Sequence, residues 1–201
     1  MYIHFFKRII DFILSFIAAI VLLPVFLVVS IAIVIDDPGP VFFSQKRFGK
    51  NKKFFNIYKF RTMKVDTPNV ATHLLENPDQ YITKVGKFLR KTSLDEIPQV
   101  FNILLNHMSI VGPRPGLYTQ DDLIAMRDKN GSNSVKPGLT GWAQINGRDE
   151  ISMEEKVRLD GEYVKKMSFL FDVKCVIGTV KAVFNEEGIC EGKQSHEEEQ
   201  E

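Results

Sequence analysis

Residues 17–29 read IAAIVLLPVFLVV, an apolar run with Pro24 near its centre. The run is part of a longer one: from Phe12 to Ile35, 24 residues, no side chain carries a charge. As a helix it would measure about 36 Å against a hydrocarbon core of about 30 Å, which marks a membrane segment. A cleaved signal peptide fits poorly. The run exceeds an apolar region of roughly 7–15 residues, and Asp36, Asp37 and Pro38 stand where small residues would be needed. Pro24 has no N–H for the carbonyl of Ile20 and its ring crowds the preceding turn, so a helix must bend or break there. Two paths follow. A kinked span puts the flanks on opposite sides of the bilayer, and neighbours can satisfy the freed carbonyl; a re-entrant path returns both flanks to one side. Lys7 and Arg8 precede the run and Lys46, Arg47, Lys50, Lys52 and Lys53 follow it, so both flanks carry the cytoplasmic signature and re-entry is expected. Each arm would be about 18 Å long, too short to cross. Asp11, at helical spacing from Lys7 and Arg8, is expected to pair with one of them and hold the entry at the interface.

The whole chain has 201 residues, 44% hydrophobic and 25% charged, enough for one ordinary domain without bulk disorder. Its net charge of +1 conceals a gradient. Residues 1–70 hold ten Lys/Arg and four Asp, a net of +6, whereas residues 186–201 hold seven Glu and one Lys, a net of −6. The basic part suits an anionic leaflet or phosphorylated ligands, and the acidic end reads as a solvated tail. No nucleic-acid partner is expected. Cys175 and Cys190 offer neither metal-ligand spacing nor a disulfide framework, and the four histidines form no recognisable cluster. Neither a P-loop nor a dinucleotide-binding glycine pattern is present.

Beyond DDPGP, the stretches VFFSQKRFG and FFNIYKFRTM around GKNKK predict a short hairpin. NPDQYITKVGKFLRK, with Asn77 as N-cap and Pro78 at the first position, predicts an amphipathic helix that suits a membrane surface or a protein core. A further helix is expected through IPQVFNILLNHM, a turn-rich loop at 127–138, a helix over 152–170, and a last one through FDVKCVIGTVKAVF. Trp142 reads as packing before base stacking.

The stretch LRKTSLDEIPQ carries the chemistry. Ser93 and Glu96 have capping-box spacing, but Pro98 would then fall at the fifth helical position, costing about 3 kcal/mol. A helix starting nearer Asp95 puts Pro98 in the tolerated first turn and places Asp95 and Glu96 at its positive end, near Arg90. An ionised aspartate there can attack phosphorus, and its neighbour can hold a divalent metal or manage a proton; a plain surface helix start has the same spacing. Arg114 in VGPRPG is held between prolines, a presentation that suits phosphate and equally a turn with a solvent-exposed arginine. Arg61 in YKFRTM and Arg148 in QINGR add guanidinium groups, and together they suggest a polyanionic ligand such as a nucleotide diphosphate.

KRIID, GPVFFSQKRFG, YKFRTM, LRKTSLDEIPQ, MSIVGPRP, KPGLTGWAQINGR and LDGEYV, in this order, resemble the bacterial sugar transferase family, the monotopic phosphoglycosyl transferases. The resemblance covers roughly residues 5–185 and is similar to the minimal form of that family. It implies an α+β, predominantly helical fold. Residues 1–37 would form a re-entrant membrane helix broken at Pro24 and residues 38–185 a compact cytosolic catalytic domain with amphipathic interfacial helices and a short hairpin. Residues 186–201 would be a disordered acidic tail. The implied reaction moves a sugar 1-phosphate from a UDP-sugar to undecaprenyl phosphate and releases UMP, as the first membrane step of surface glycan assembly. Asp95 would be the nucleophile with Glu96 beside it, Mg2+ at this pair, and Arg61, Arg90, Arg114 and Arg148 on phosphates. Membrane lipids and downstream glycosyltransferases would be partners, on the cytoplasmic face of the bacterial inner membrane. A non-catalytic nucleotide-sugar-binding scaffold is the alternative. Two departures stand out: Leu23 replaces the family's serine before the proline, and Asn106-His107 replaces a common Gly-acid pair.

Overall fold

A computed structural model of the chain describes residues 2–68, 78–147 and 151–184; Asn77, Arg148 and the acidic tail lie outside these. The architecture is mostly helical with two small two-stranded sheets among the described residues. The apolar run forms helix α1, Lys7–Val21, and helix α2, Leu23–Asp36, bent by 58° at Leu22. Pro24 stands in the first turn of α2, where a missing N–H is tolerated. Leu23 is a helical residue, 59% exposed, so no hydroxyl at that position takes part in the bend. Among the described residues no single helix is long and apolar enough to cross a membrane, while the bent pair passes that test by length and composition.

α1 is inverted relative to the surface helix of a water-soluble domain. Its buried residues are Lys7, Asp11 and Ser15, one stripe at four-residue intervals, while Phe12, Ile13, Phe16, Ile17 and Ile20 are exposed. The inward polar stripe is fully engaged at its basic end. Lys7 Nζ lies 2.6 Å from Asp172 Oδ2, and Arg8 donates to the carbonyls of Ile103 and Leu104 at 2.7 and 3.1 Å. Asp11 does not pair with Lys7 or Arg8 as its spacing predicts. It accepts from the Ser109 hydroxyl at 2.7 Å and the Ile110 N–H at 3.2 Å, because the inward stripe faces the rest of the fold rather than its own neighbours. Lys7 is buried against the protein.

α2 turns Phe26, Val29 and Ile33 inward onto Phe60, Leu89 and Val100. At its end Asp36 accepts from the Val85 N–H at 2.8 Å, and Asp37 from Val65 N–H at 3.0 Å and from Arg61. Both arms of the bent pair are therefore fastened to one body.

The expected hairpin forms as β1, Phe42–Phe48, antiparallel to β2, Phe54–Phe60, with Phe42 opposite Phe60 and Phe48 opposite Phe54. The expected amphipathic helix is α3, Lys84–Lys91, later than its sequence suggests: Thr83 caps it by accepting from Gly86 N–H at 2.9 Å, and Pro78–Tyr81 is a separate 3-10 turn. Gly86 is required, since a Cβ there would lie 2.0 Å from the Thr62 carbonyl oxygen. α4 runs Gln99–Leu104 and ends at Asn106, whose φ of 67° is a left-handed position. Asparagine tolerates that conformation better than most residues. His107 packs its ring against Phe55 at 5.7 Å.

Strands β3, Ser109–Val111, and β4, Gly138–Thr140, pair in parallel. α5, Asp121–Asp128, was not expected; it precedes the expected turn-rich loop. α6 is the single turn Trp142–Ile145. The expected 152–170 helix divides into α7, Met153–Lys166, capped by Ser152, and the start of α8, Phe169–Phe184. Trp142 packs 4.9 Å from Phe171, as the packing reading requires.

Candidate active site

Asp95 and Glu96 occupy a 3-10 turn, Leu94–Glu96, between α3 and α4. The capping-box register is not adopted: Ser93 has φ 57° and ψ 16° and makes no side-chain cap, and Pro98 is the N-cap residue of α4. Placing Pro98 outside the helix removes its penalty, and moves the acidic pair one turn ahead of the helix rather than onto its start. The left-handed serine costs on the order of 1–2 kcal/mol, a strain that sets the direction of the following turn.

Two cations meet the pair. Glu96 Oε1 accepts from Lys59 Nζ at 2.7 Å and from Arg114 Nη2 at 2.8 Å, and Lys59 Nζ is 3.4 Å from Asp95 Oδ2. The two carboxyls titrate in opposite directions. Burial pushes Asp95 above its usual value, outweighing the nearby Lys59 charge. Burial acts on Glu96 in the same sense, but the Arg114 and Lys59 charges overcome it and hold that carboxyl well below the carboxylate range. Neighbouring carboxyls driven apart in this way take different roles. Glu96 is the more acidic partner, held by its two cations, and Asp95 keeps the more basic oxygens.

Arg114 is placed by its backbone. The carbonyls of Pro113, Arg114 and Pro115 accept from Gly138 N–H at 2.9 Å, Arg127 Nη1 at 2.9 Å and Arg47 Nη1 at 3.2 Å. Arg127 is itself fixed by Asp160, with Nε at 2.9 Å and Nη2 at 2.5 Å from Oδ2. A proline-framed loop with three held carbonyls presents its guanidinium with little freedom to lose.

Of the other expected phosphate ligands, Arg90 lies in the last turn of α3 and donates from Nε to Thr62 Oγ1 at 3.0 Å. Arg61 is not brought to the pair. It is buried and gives its donors to the Asp37 carboxylate, the Asp37 carbonyl and the Pro40 carbonyl, clamping the exit of α2 to the hairpin. Arg148 is outside the described residues. Lys59 and the Arg127–Asp160 pair were missed. Lys59 had a signal: strand alternation after buried Phe55 and Ile57 turns it inward, and an inward lysine needs a carboxylate.

Among the described residues no group of three His, Cys, Asp or Glu side chains is arranged to hold a metal. Mg2+ commonly uses only one or two carboxylates and completes its shell with phosphate and water. The donor set fits that pattern, because the cations meet Asp95 and Glu96 at Oδ2 and Oε1 and leave Oδ1 and Oε2 without a protein donor among the described residues.

Replacing Lys59 by methionine removes a charge that opposes the upward shift of Asp95. The acidic limb of a rate-against-pH profile is expected to move to higher pH, with turnover at neutral pH lower by roughly 10²-fold. An unmoved limb would separate Lys59 from Asp95.

A sequence model of the family described as bacterial sugar transferase matches residues 2–186. The UDP-glucose:undecaprenyl-phosphate glucose-1-phosphate transferase of Escherichia coli K12 is 42% identical over 182 residues, 87% of this chain and 39% of that protein. The uncharacterized sugar transferase EpsL of Bacillus subtilis is 47% identical over 152 residues, 75% of this chain and 73% of its own length. The exopolysaccharide production protein PSS of Rhizobium leguminosarum is 38% identical over 188 residues, covering 87% of this chain and 92% of that protein. The chain thus spans well under half of the E. coli relative.

Proposed function

We propose, for a chain that belongs to the bacterial sugar transferase family, that it transfers a sugar 1-phosphate from a UDP-sugar to undecaprenyl phosphate through Asp95. The observation that carries this reading is the divided acidic pair: Glu96 pinned as an anion by Lys59 and Arg114, with Asp95 beside it buried and more basic than an ordinary carboxylate.

In the first step a carboxylate oxygen of Asp95 attacks the phosphorus that bears the sugar. An O–P bond forms on Asp95, the bond to the bridging oxygen breaks, and UMP departs with that oxygen and its electron pair. In the second step a phosphate oxygen of the acceptor attacks the same phosphorus, giving the lipid diphosphate sugar and freeing Asp95. Arg114, rigidly presented, and Arg90 face the charge on the phosphoryl oxygens, and Lys59 offsets the charge of the pair. Asp95 and Glu96 are the residues that would hold Mg2+, which when bound supplies Lewis-acid stabilisation of phosphoryl charge.

A lipid acceptor requires this turn to lie at a bilayer surface. The inverted α1 and the fastening of both arms to one body support the re-entrant path on the cytoplasmic face. An arm of about 22 Å, inclined by half of the bend, reaches only about 11 Å deep, within a single leaflet of a core about 30 Å thick. Ile3→Cys and Ser44→Cys, each in a Cys190→Ser background, are expected to react from the cytoplasmic side alike with a membrane-impermeant maleimide. Labelling from opposite sides would establish a span.

The reaction is tested with purified chain, undecaprenyl phosphate, Mg2+ and a panel of UDP-sugars. UMP and a lipid diphosphate sugar in equal amounts are expected for at least one donor. Donor binding without either product would favour the scaffold reading.

A further inference from the structure

Strand β2 carries Lys59 to the acidic pair, and that contact is only as accurate as the strand's placement. β2 has β1 along one edge, and among the described residues its sheet ends at those two strands. Backbone groups on the other edge must find partners elsewhere. Asn102, fully buried in α4, supplies them. Its Oδ1 accepts from the Tyr58 N–H at 2.9 Å, and its Nδ2 donates to the Asn56 carbonyl at 2.7 Å. A carboxamide has the donor and the acceptor of a peptide group, so Asn102 stands where one residue of a third strand would. A backbone N–H only donates and a carbonyl only accepts, so a single orientation of the amide satisfies both.

The mount of this amide is itself held. The Asn102 backbone carbonyl accepts from the N–H groups of His107 and Met108 at 2.9 and 3.2 Å, and Arg8 holds the next two carbonyls of α4. Phe55 and Ile57 of β2 also pack with Ile103 and Met108. Apolar packing is non-directional, whereas the two amide bonds fix where the strand lies along the helix. Lys59 follows Tyr58 directly, with Nζ 2.7 Å from Glu96 Oε1 and 3.4 Å from Asp95 Oδ2. A shift of about 1 Å in the strand would take the shorter contact out of hydrogen-bond range.

We propose that Asn102 is a positioning residue: its carboxamide fixes β2 against α4 and thereby sets Lys59 on the acidic pair. The effect on rate rests on the preceding reading of the reaction. Two measurements on the full chain in lipid nanodiscs test it, both with Asn102→Ala. Acylation by N-hydroxysuccinimide acetate, followed by peptide mass spectrometry, reads Lys59 without turnover. Lys59 is expected to react on the order of tenfold faster in the variant, its local contact being lost, while buried Lys7 keeps its wild-type rate. An unchanged Lys59 overturns the proposal. So does an equal rise at Lys7, which would make Asn102 a general support of the fold. In turnover, Asn102→Ala is expected to be slower on the order of tenfold, and adding it to Lys59→Met is expected to cost nothing further, because the lysine it places is gone. Losses that multiply would overturn the proposal. Should alanine fail to fold, Asn102→Asp keeps the side chain's shape and the bond from Tyr58 but offers Asn56 no donor when ionised. The same rise at Lys59 with Lys7 unmoved is expected there, and its absence counts against the proposal equally. Acylation that responds as expected, with no turnover of any UDP-sugar by the wild type, would defeat the transferase reading and leave the placement of Lys59 standing.

Discussion

Asp95→Asn is expected to lower UMP release by at least about 10⁴-fold, the scale of losing a covalent nucleophile. The amide is nearly the carboxylate's shape but has no charged oxygen to attack phosphorus. The fold should survive. Asp95 titrates higher in the folded chain than in the unfolded one, so the folded state binds the proton more tightly. Stability therefore falls as pH rises from the ordinary carboxylate value through the raised one, and at neutral pH the ionised group is a net cost. Asparagine removes that cost, and the variant's melting temperature should equal or exceed the wild type's near pH 7. A dead enzyme with a raised melting temperature is the signature of a group kept for chemistry. Loss of activity together with loss of fold would assign Asp95 a structural role instead.

The second large effect falls on stability. Asp172 accepts from Lys7 Nζ at 2.6 Å, from the Tyr2 hydroxyl at 2.6 Å and from the Tyr163 hydroxyl at 2.8 Å, joining the start of α1 to α7 and α8. Both ion-pair partners are buried, with side chains 10% and 9% exposed. Asp172→Ala leaves an uncompensated ammonium and two unpaired hydroxyls inside the protein. Breaking such a pair from one side costs about 3–5 kcal/mol, or roughly 10 °C of melting temperature at this chain length. Adding Lys7→Met to it should restore part of the loss, since the stranded charge goes with it. A drop of a degree or two for the single variant, measured in nanodiscs, would show that α1 is not held through this pair.

Local chemistry made several elements legible in the sequence. The apolar run and its proline predict a broken helix, and the bend falls at Leu22, two residues before Pro24. Alternation around GKNKK predicts the hairpin that forms. The elements that were not legible depend on partners distant in the chain. Asp11 has Lys7 and Arg8 in helical reach and bonds to Ser109 and Ile110 instead, because α1 faces the body with its polar stripe. Arg61 and Arg114 both read as candidate phosphate ligands. One is used up by Asp37 and Pro40 and the other reaches Glu96, and nothing local to either distinguishes them. Helix α3 starts at Lys84 because Thr83 finds Gly86 N–H and Asp36 finds Val85 N–H, a long-range cap.

The acidic pair was visible as residues and not as geometry. LDE and the following proline constrain the backbone, yet the left-handed Ser93 that puts both carboxyls in a turn of their own is a tertiary result. Lys59 was readable by alternation alone, as an inward charge that required an anion.

The central claim is that the phosphosugar rests on Asp95 between two displacements. Incubating the purified chain with a UDP-sugar it accepts and Mg2+, without acceptor, followed by acid quench and peptide mass spectrometry, tests it most directly. The mass of a sugar phosphate is expected on the peptide containing Asp95, with one equivalent of UMP released, and undecaprenyl phosphate should discharge it. An unmodified peptide, with UMP appearing only once undecaprenyl phosphate is added, would contradict the claim and leave direct attack by the lipid phosphate.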